Sequence, residues 1–276
     1  MVVHQLLYLP RYMKWTYVIL LVVILGSTAC NELEKIQKSS NTEYKLQKAN
    51  EFYDKTQYGK AIVLYEELLT IFKGTRRFED IYYKYSMSYY KQGNYLAASY
   101  HFKNFSDLFP SSKRSEETRF LHSESLFKDT KDYTLDQATT KTTIAELQNF
   151  INTHPESNRV SSANTMIDEA RSKLEEKDKY AAELYFKVSR YRAAAIYFEQ
   201  IMNKYPDSKY VDYYQYRVLQ SRFNYAKQSI DSKRKERYKQ VLEDYAYFKN
   251  TNPNNKYQKD IESIKKLSSQ ALTKIK

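Results

Sequence analysis

Side chains able to do covalent or metal chemistry are few in this chain of 276 residues, and they stand far apart. The histidines are His4, His101, His122 and His154, and no two are four residues apart, the spacing that turns two imidazoles toward one metal ion on a helix face. Three acidic pairs occur, Glu66-Glu67, Glu116-Glu117 and Glu175-Glu176. Adjacent carboxylates on a helix point in different directions, so these pairs fit solvated helix faces better than acid/base work. The four glycines never come together in a loop that would cradle phosphate. Cys30 is the single cysteine, which excludes an intramolecular disulfide framework. This inventory predicts no catalytic residue, no metal and no cofactor held by the fold; the chain reads as a non-enzyme whose work is done by surfaces.

The elements that carry those surfaces repeat. From Tyr95 the chain places Ala98, Phe102, Phe105 and Pro110 at offsets of 3, 7, 10 and 15; from Tyr191 it places Ala194, Phe198, Ile201 and Pro206 at the same offsets. Tyr58 is followed likewise by Ala61, Tyr65 and Leu68. Offsets of 3, 7 and 10 return to one face of a 3.6-residue helix, and the small residue marks a close approach of a neighbouring helix. Nine residues before each tyrosine stands another small residue, Ala49, Ser86 or Ala182, within a second helical segment. Each unit therefore reads as helix, turn, helix, the tetratricopeptide pattern, and one such hairpin cannot bury its apolar face alone. With four glycines and five prolines there are few turns. The prediction is an all-α, tetratricopeptide-like helical-hairpin solenoid of about five repeats with a C-terminal capping helix.

Repeats 1 to 3 are expected over residues 43–155, repeats 4 and 5 over 156–255, and the capping helix over 256–276. Pro110 to Pro155 is longer than one repeat, which puts an insertion of about eight residues around Lys131 to Thr139, in the loop between helices. Ser161 to Lys187 has no Gly or Pro and reads as one extended helix, or two with a break near Asp178. The strings after the prolines, such as Ser111-Ser112-Lys113-Arg114 and Asp207-Ser208-Lys209-Tyr210, offer Ser or Asn residues to cap the next helix. The basic segment Lys227 to Lys239 is expected at the turn of repeat 5.

Residues 1–29 have the layout of a secretory signal: Arg11 and Lys14, then an apolar run from Trp15, then Gly26-Ser27-Thr28-Ala29, with Met13 an ordinary start for it. Cys30 follows directly and resembles a lipobox cysteine, with Ser27 where that pattern prefers leucine. The expected modification is a diacylglyceryl group on the thiol and an acyl chain on the amine. Residues 30–42 are polar and are expected to form the lipidated tether.

Net charge is +12, but lysines are interleaved with glutamates as on solvated helix faces, so nucleic acid is not an expected partner. The first helices of stacked hairpins line a concave side. Positions three before, one after and four after the small residue face it, which gives Leu46, Asn50 and Tyr53, then Tyr83, Met87 and Tyr90, then Phe120, Glu124 and Phe127; all but Leu46 and Asn50 are taken as groove residues, and rigid amphipathic aromatics make good peptide platforms. Arg234 and Arg237 are the candidates for a basic partner-binding face in repeat 5.

Four stretches, read with the lipobox cysteine and the repeat order, carry a resemblance. They are Tyr58-Gly59-Lys60-Ala61 with Tyr65-Glu66-Glu67-Leu68, Gln92-Gly93-Asn94-Tyr95 with Tyr100-His101-Phe102-Lys103-Asn104-Phe105, Glu146-Leu147-Gln148-Asn149-Phe150-Ile151, and Tyr205-Pro206-Asp207-Ser208-Lys209-Tyr210. Together they resemble the BamD (YfiO) family, lipoproteins of the outer-membrane beta-barrel assembly machinery. The resemblance implies a scaffold lipid-anchored at the outer membrane and facing the periplasm. Its implied partners are BamA-type periplasmic domains, at the C-terminal repeats, and unfolded barrel precursors, at the N-terminal ones. The same features also fit another periplasmic repeat lipoprotein acting as an adaptor in envelope or cell-wall work. A carbohydrate-capturing lipoprotein on the same repeats would need larger loop insertions than this chain has.

Overall fold

A computed structural model describes residues 32–275; the leader and Cys30 lie outside the described residues. The described chain is helical throughout, without a strand. Residues 32–37 form α1, followed by α2 (Thr42–Asp54), α3 (Tyr58–Ile71), α4 (Phe78–Gln92), α5 (Tyr95–Leu108), α6 (Ser115–Asp129) and α7 (Ala138–Thr153). Then come α8 (Val160–Lys187), α9 (Tyr191–Lys204), α10 (Val211–Lys227), α11 (Asp231–Thr251) and α12 (Gln258–Lys274). The expected hairpins are α2/α3, α4/α5, α6/α7, α8/α9 and α10/α11, with α12 after them. The fold is all-α, built from tandem tetratricopeptide-like hairpins.

The repeated positions supply the core. Ala49, Ala61, Tyr65 and Leu68, then Ser86, Ala98, Phe102 and Phe105, and Ala182, Ala194, Phe198 and Ile201 are all buried. The small residues let helix axes approach closely, and each buried aromatic or leucine stabilises by roughly 2–3 kcal/mol. Turn chemistry sets the hairpin ends. Asn94 caps α5 by accepting from the Ala97 amide at 3.3 Å, and Gly93 before it ends α4 in the left-handed region at φ +83°.

The helices sort into two compact units. The first runs to Asp129 and takes in Ala145–Ala163; the second holds Thr130–Ile144 and the chain from Asn164 onward. In the first, α2 to α6 pack one against the next in order. In the second, α9 packs on α10, α10 on α11, and α12 on both α10 and α11.

Three local expectations change. Residues 30–42 are not all tether: within 32–37, Ile36 is 2% exposed in a core with Ala49, Phe52 and Tyr65, because two apolar residues three apart, Leu33 and Ile36, suffice to seat a helical turn. The basic residues of the 227–239 segment are helical, belonging to α10 and α11, and the turn between those helices is only residues 228–230. The junction serines do not cap helices. Ser112, Ser157 and Ser208 each accept from the amide two residues on, closing a turn, and each donates its hydroxyl to a carboxylate of the preceding hairpin: Glu79, Glu116 and Glu175. The doubtful helix between Ser161 and Lys187 is a single uninterrupted α8 of 28 residues.

Candidate functional site

In the first unit, α2, α4 and α6 bring the predicted groove residues together. Tyr53 on α2 packs edge-on to Tyr58 and Tyr65, with ring centroids 5.7 and 6.5 Å away. With Tyr83 and Tyr90 of α4 it lies on a cluster containing Met87, Phe102 and Leu121. Tyr83 meets Phe105 at 5.9 Å, and Tyr90 meets Tyr95 at 5.7 Å and Phe102 at 6.0 Å. Met87 and Phe120 are buried, at 9% and 7% exposure, and act as packing beneath the surface. Tyr53, Tyr83, Tyr90, Glu124 and Phe127 stay half-buried and present an aromatic, polar-edged face.

Charged groups thread between the rings. The Arg114 guanidinium stands 4.4 Å over the Tyr83 ring and donates from both terminal nitrogens to Asp80 Oδ1 at 3.1 Å. The Tyr83 hydroxyl donates to Glu117 at 3.3 Å, and Lys84 Nζ donates to Asn50 Oδ1 at 2.9 Å. Tyr90 donates to Glu124, while Lys128 sits 5.5 Å over the Tyr90 ring and 3.9 Å from Glu124. Burial, reinforced by Glu117, pushes the Tyr83 hydroxyl up to about 12, and burial with Glu124 raises Tyr90. Both hydroxyls are therefore protonated donors at neutral pH. Nothing in this arrangement pairs a nucleophile with a base. It can stack on apolar side chains and exchange hydrogen bonds with main chain, which is binding chemistry.

Ion pairs with partners 34 residues apart recur along the chain. Glu43 pairs with Arg77, Asp80 with Arg114 and Glu183 with Arg217, each 34 residues apart, and Glu117 pairs with Arg159 across a longer interval. In each case the guanidinium also covers an aromatic ring: Phe72, Tyr83, Phe186 and Phe120. The first two pairs and Glu117–Arg159 tie the start of one hairpin's first helix to the start of the next, whereas Glu183–Arg217 joins the end of α8 to the middle of α10. Sequence reading missed these residues, although an acid and an arginine recurring at the repeat length were the signal available.

A family model described as outer membrane lipoprotein, YfiO, matches residues 37–236. The chain belongs to the YfiO family. That match runs from α1 into α11 and takes in Tyr53, Tyr83 and Tyr90. Among curated proteins, no sequence matches this YfiO-family chain. Of solved structures, the TPR2AB domain of yeast Sti1, in a complex with pHSP90, is 14% identical with a TM-score of 0.36, covering 83% of this chain and 98% of its own. The P58(IPK) TPR domain is 13% identical with a TM-score of 0.37, covering 89% of this chain and 67% of its own.

The other predicted site residues lie in the second unit. Arg234 donates from Nε and a terminal nitrogen to the Ser229 carbonyl, at 3.2 and 2.9 Å, and pairs with Asp231 at 2.9 Å. Arg237 donates to the Ser229 hydroxyl and lies 4.0 Å from the Tyr225 ring. Both arginines thus satisfy groups just past the C-terminal end of α10, where carbonyls lack helical partners. Arg237 also borders a cleft of about 270 Å³ between α9, α10 and α11, lined with Arg192, Ile196, Glu199, Arg222 and Tyr225. Among the described residues no cluster of His, Cys, Asp and Glu is arranged to hold a metal ion.

Proposed function

We propose that this YfiO-family chain is the repeat scaffold of the machinery that assembles beta-barrels in the outer membrane. It is a non-enzymatic lipoprotein, anchored by acyl groups on Cys30 and facing the periplasm. The first unit's groove takes up unfolded barrel precursors, and the second unit binds the periplasmic domains of a BamA-type protein. The observation that carries this reading is the half-exposed aromatic face of Tyr53, Tyr83 and Tyr90, in a chain of an outer membrane lipoprotein family.

A barrel strand before insertion is extended and rich in aromatics. Rings on α2 and α4 stack on such side chains, and the groups now engaged with Arg114, Lys84 and Glu117 can exchange partners with its main chain. Of the contacts they would replace, those of Tyr83 to Glu117 and of Lys84 to Asp80 are long, at 3.3 and 3.4 Å, and give way at low cost. Peptides with the sequence of a terminal barrel strand are expected to bind the full-length lipoprotein, and Tyr53→Ala and Tyr90→Ala each to weaken that binding about tenfold. Protein extracted in mild detergent should bring down the BamA-type partner, and depletion should lower barrel proteins as a group. Recovery of cell-wall enzymes, with barrel levels unchanged, would instead establish the adaptor reading.

A further inference from the structure

One helix face in the second unit is half covered by its own chain and half bare. Lys173, Lys177, Tyr180, Leu184 and Val188 follow one another at spacings of three or four, which places them on one stripe of α8 and its end. The insertion at residues 130–137 lies along the first part of that stripe. Lys173 donates to the Thr130 hydroxyl at 2.6 Å, Lys177 to the main-chain carbonyls of Leu135 and Tyr133 at 2.7 and 3.3 Å, and the Tyr133 ring stands 6.0 Å from Tyr180. Beyond that point the stripe is open: Tyr180, Leu184 and Val188 are each at least half exposed, as is Leu135 of the insertion. Single exposed apolar residues are ordinary, whereas a contiguous apolar stripe is the kind of surface that marks an interaction site.

Its chemistry selects an occupant. Lys187 and Arg190 border the bare part and are exposed, while Glu183, the acid on that part of α8, is held by Arg217 and Tyr213. The covered half shows what this stripe accepts: a non-helical segment that lays an aromatic ring, Tyr133, beside Tyr180 and turns main-chain carbonyls to Lys177. From Tyr180 to Val188 the helix rises about 12 Å, the length of roughly four extended residues. We propose that the bare half binds an extended, acidic and apolar segment of another polypeptide that continues the course of residues 130–137 along α8. The inference goes beyond the groove reading and does not depend on what the first unit holds.

The test uses the full-length lipidated protein in cells, carrying a photo-crosslinking amino acid at Leu184 or at Val188, with the adducts sequenced. Adducts should map to a net-acidic segment of another polypeptide, and Lys187→Glu with Arg190→Glu should lower their yield at least fivefold with melting unchanged. With purified protein, a synthetic peptide of alternating glutamate and leucine should bind at least tenfold more tightly than its counterpart with lysine for glutamate. Adducts in lipid, in a second copy of this chain or in a net-basic segment would overturn the proposal. So would no adduct, a yield indifferent to charge reversal, or equal binding of the two peptides. Precursor binding in the groove and barrel-protein levels are separate readouts, so failure here leaves that reading standing and the converse also holds.

Discussion

At the scale of single residues, the charged groups that matter most are those folded against rings. Arg217 is nearly buried, lies 3.7 Å from the Phe186 ring and makes a two-pronged bond to Glu183, which also accepts from Tyr213. Removing it takes the paired cation from Glu183, whose side chain is 30% exposed, and leaves it the Tyr213 hydroxyl. Arg217→Ala is expected to lose about 3 kcal/mol in urea unfolding, and Arg217→Lys to recover only part of it, because an ammonium lacks the planar fork. His122 is the titrating counterpart. Its Nδ1 is 2.9 Å from the Ser99 carbonyl, which only accepts, so Nδ1 carries the proton. Its buried Nε2 has no hydrogen-bond partner, and Glu146 lies 3.8 Å away. Burial holds this imidazole below the ordinary value of 6.5, and burial does the same for His101. The unfolded chain therefore takes up protons first as pH falls, so stability is full above 6.5 and declines below it. Melting temperature should drop between pH 7 and pH 5, and His122→Gln should shrink that drop without abolishing it, since His101 remains.

At the scale of elements, helix ends decide how one hairpin follows another. Gly93 ends α4 at φ +83°, with open space where a side chain would go, so only backbone conformation opposes substitution. Gly93→Ala is expected to cost about 1 kcal/mol in thermal unfolding. Gly59 in the first turn of α3 has ordinary helical backbone, and an added Cβ would touch only the flexible end of Gln92, at 3.4 Å. Gly59→Ala should therefore be neutral or gain about 0.5 kcal/mol. Both glycines are visible in the sequence, but it does not say which one sits in the left-handed region. The junction serines teach the same lesson. Their positions after each proline are legible, yet whether the hydroxyl caps its own helix or clips to Glu79, Glu116 or Glu175 depends on a carboxylate 33 or 41 residues earlier.

At the scale of the molecule, the proposed role joins an anchor to two repeat units. No helix among the described residues is long and apolar enough to cross a membrane. Two or three acyl chains on Cys30 would hold the protein firmly, since each buried methylene contributes roughly 0.8 kcal/mol. Cys30→Ser is expected to abolish acyl labelling and move the protein from the membrane to the soluble fraction on centrifugation. A net charge of +12 accompanies this architecture without requiring nucleic acid, because several cations are spent over rings and against acids within the chain.

The amino-acid sequence by itself determined the helical hairpins, their small-residue contacts and the repeat core, because a 3.6-residue period and a recurring alanine are local properties written in neighbouring letters. It also picked out Tyr53, Tyr83 and Tyr90, which share one half-buried aromatic cluster. Only the tertiary structure decided which charges thread between those rings and that Met87 and Phe120 are buried. It alone turned Arg234 and Arg237 onto the end of α10, and it alone showed that the insertion covers half of one α8 stripe. Each of those facts rests on which distant residue arrives beside a given side chain, and a long, flexible charged group takes its partner from whatever the packed backbone brings within about 3 Å.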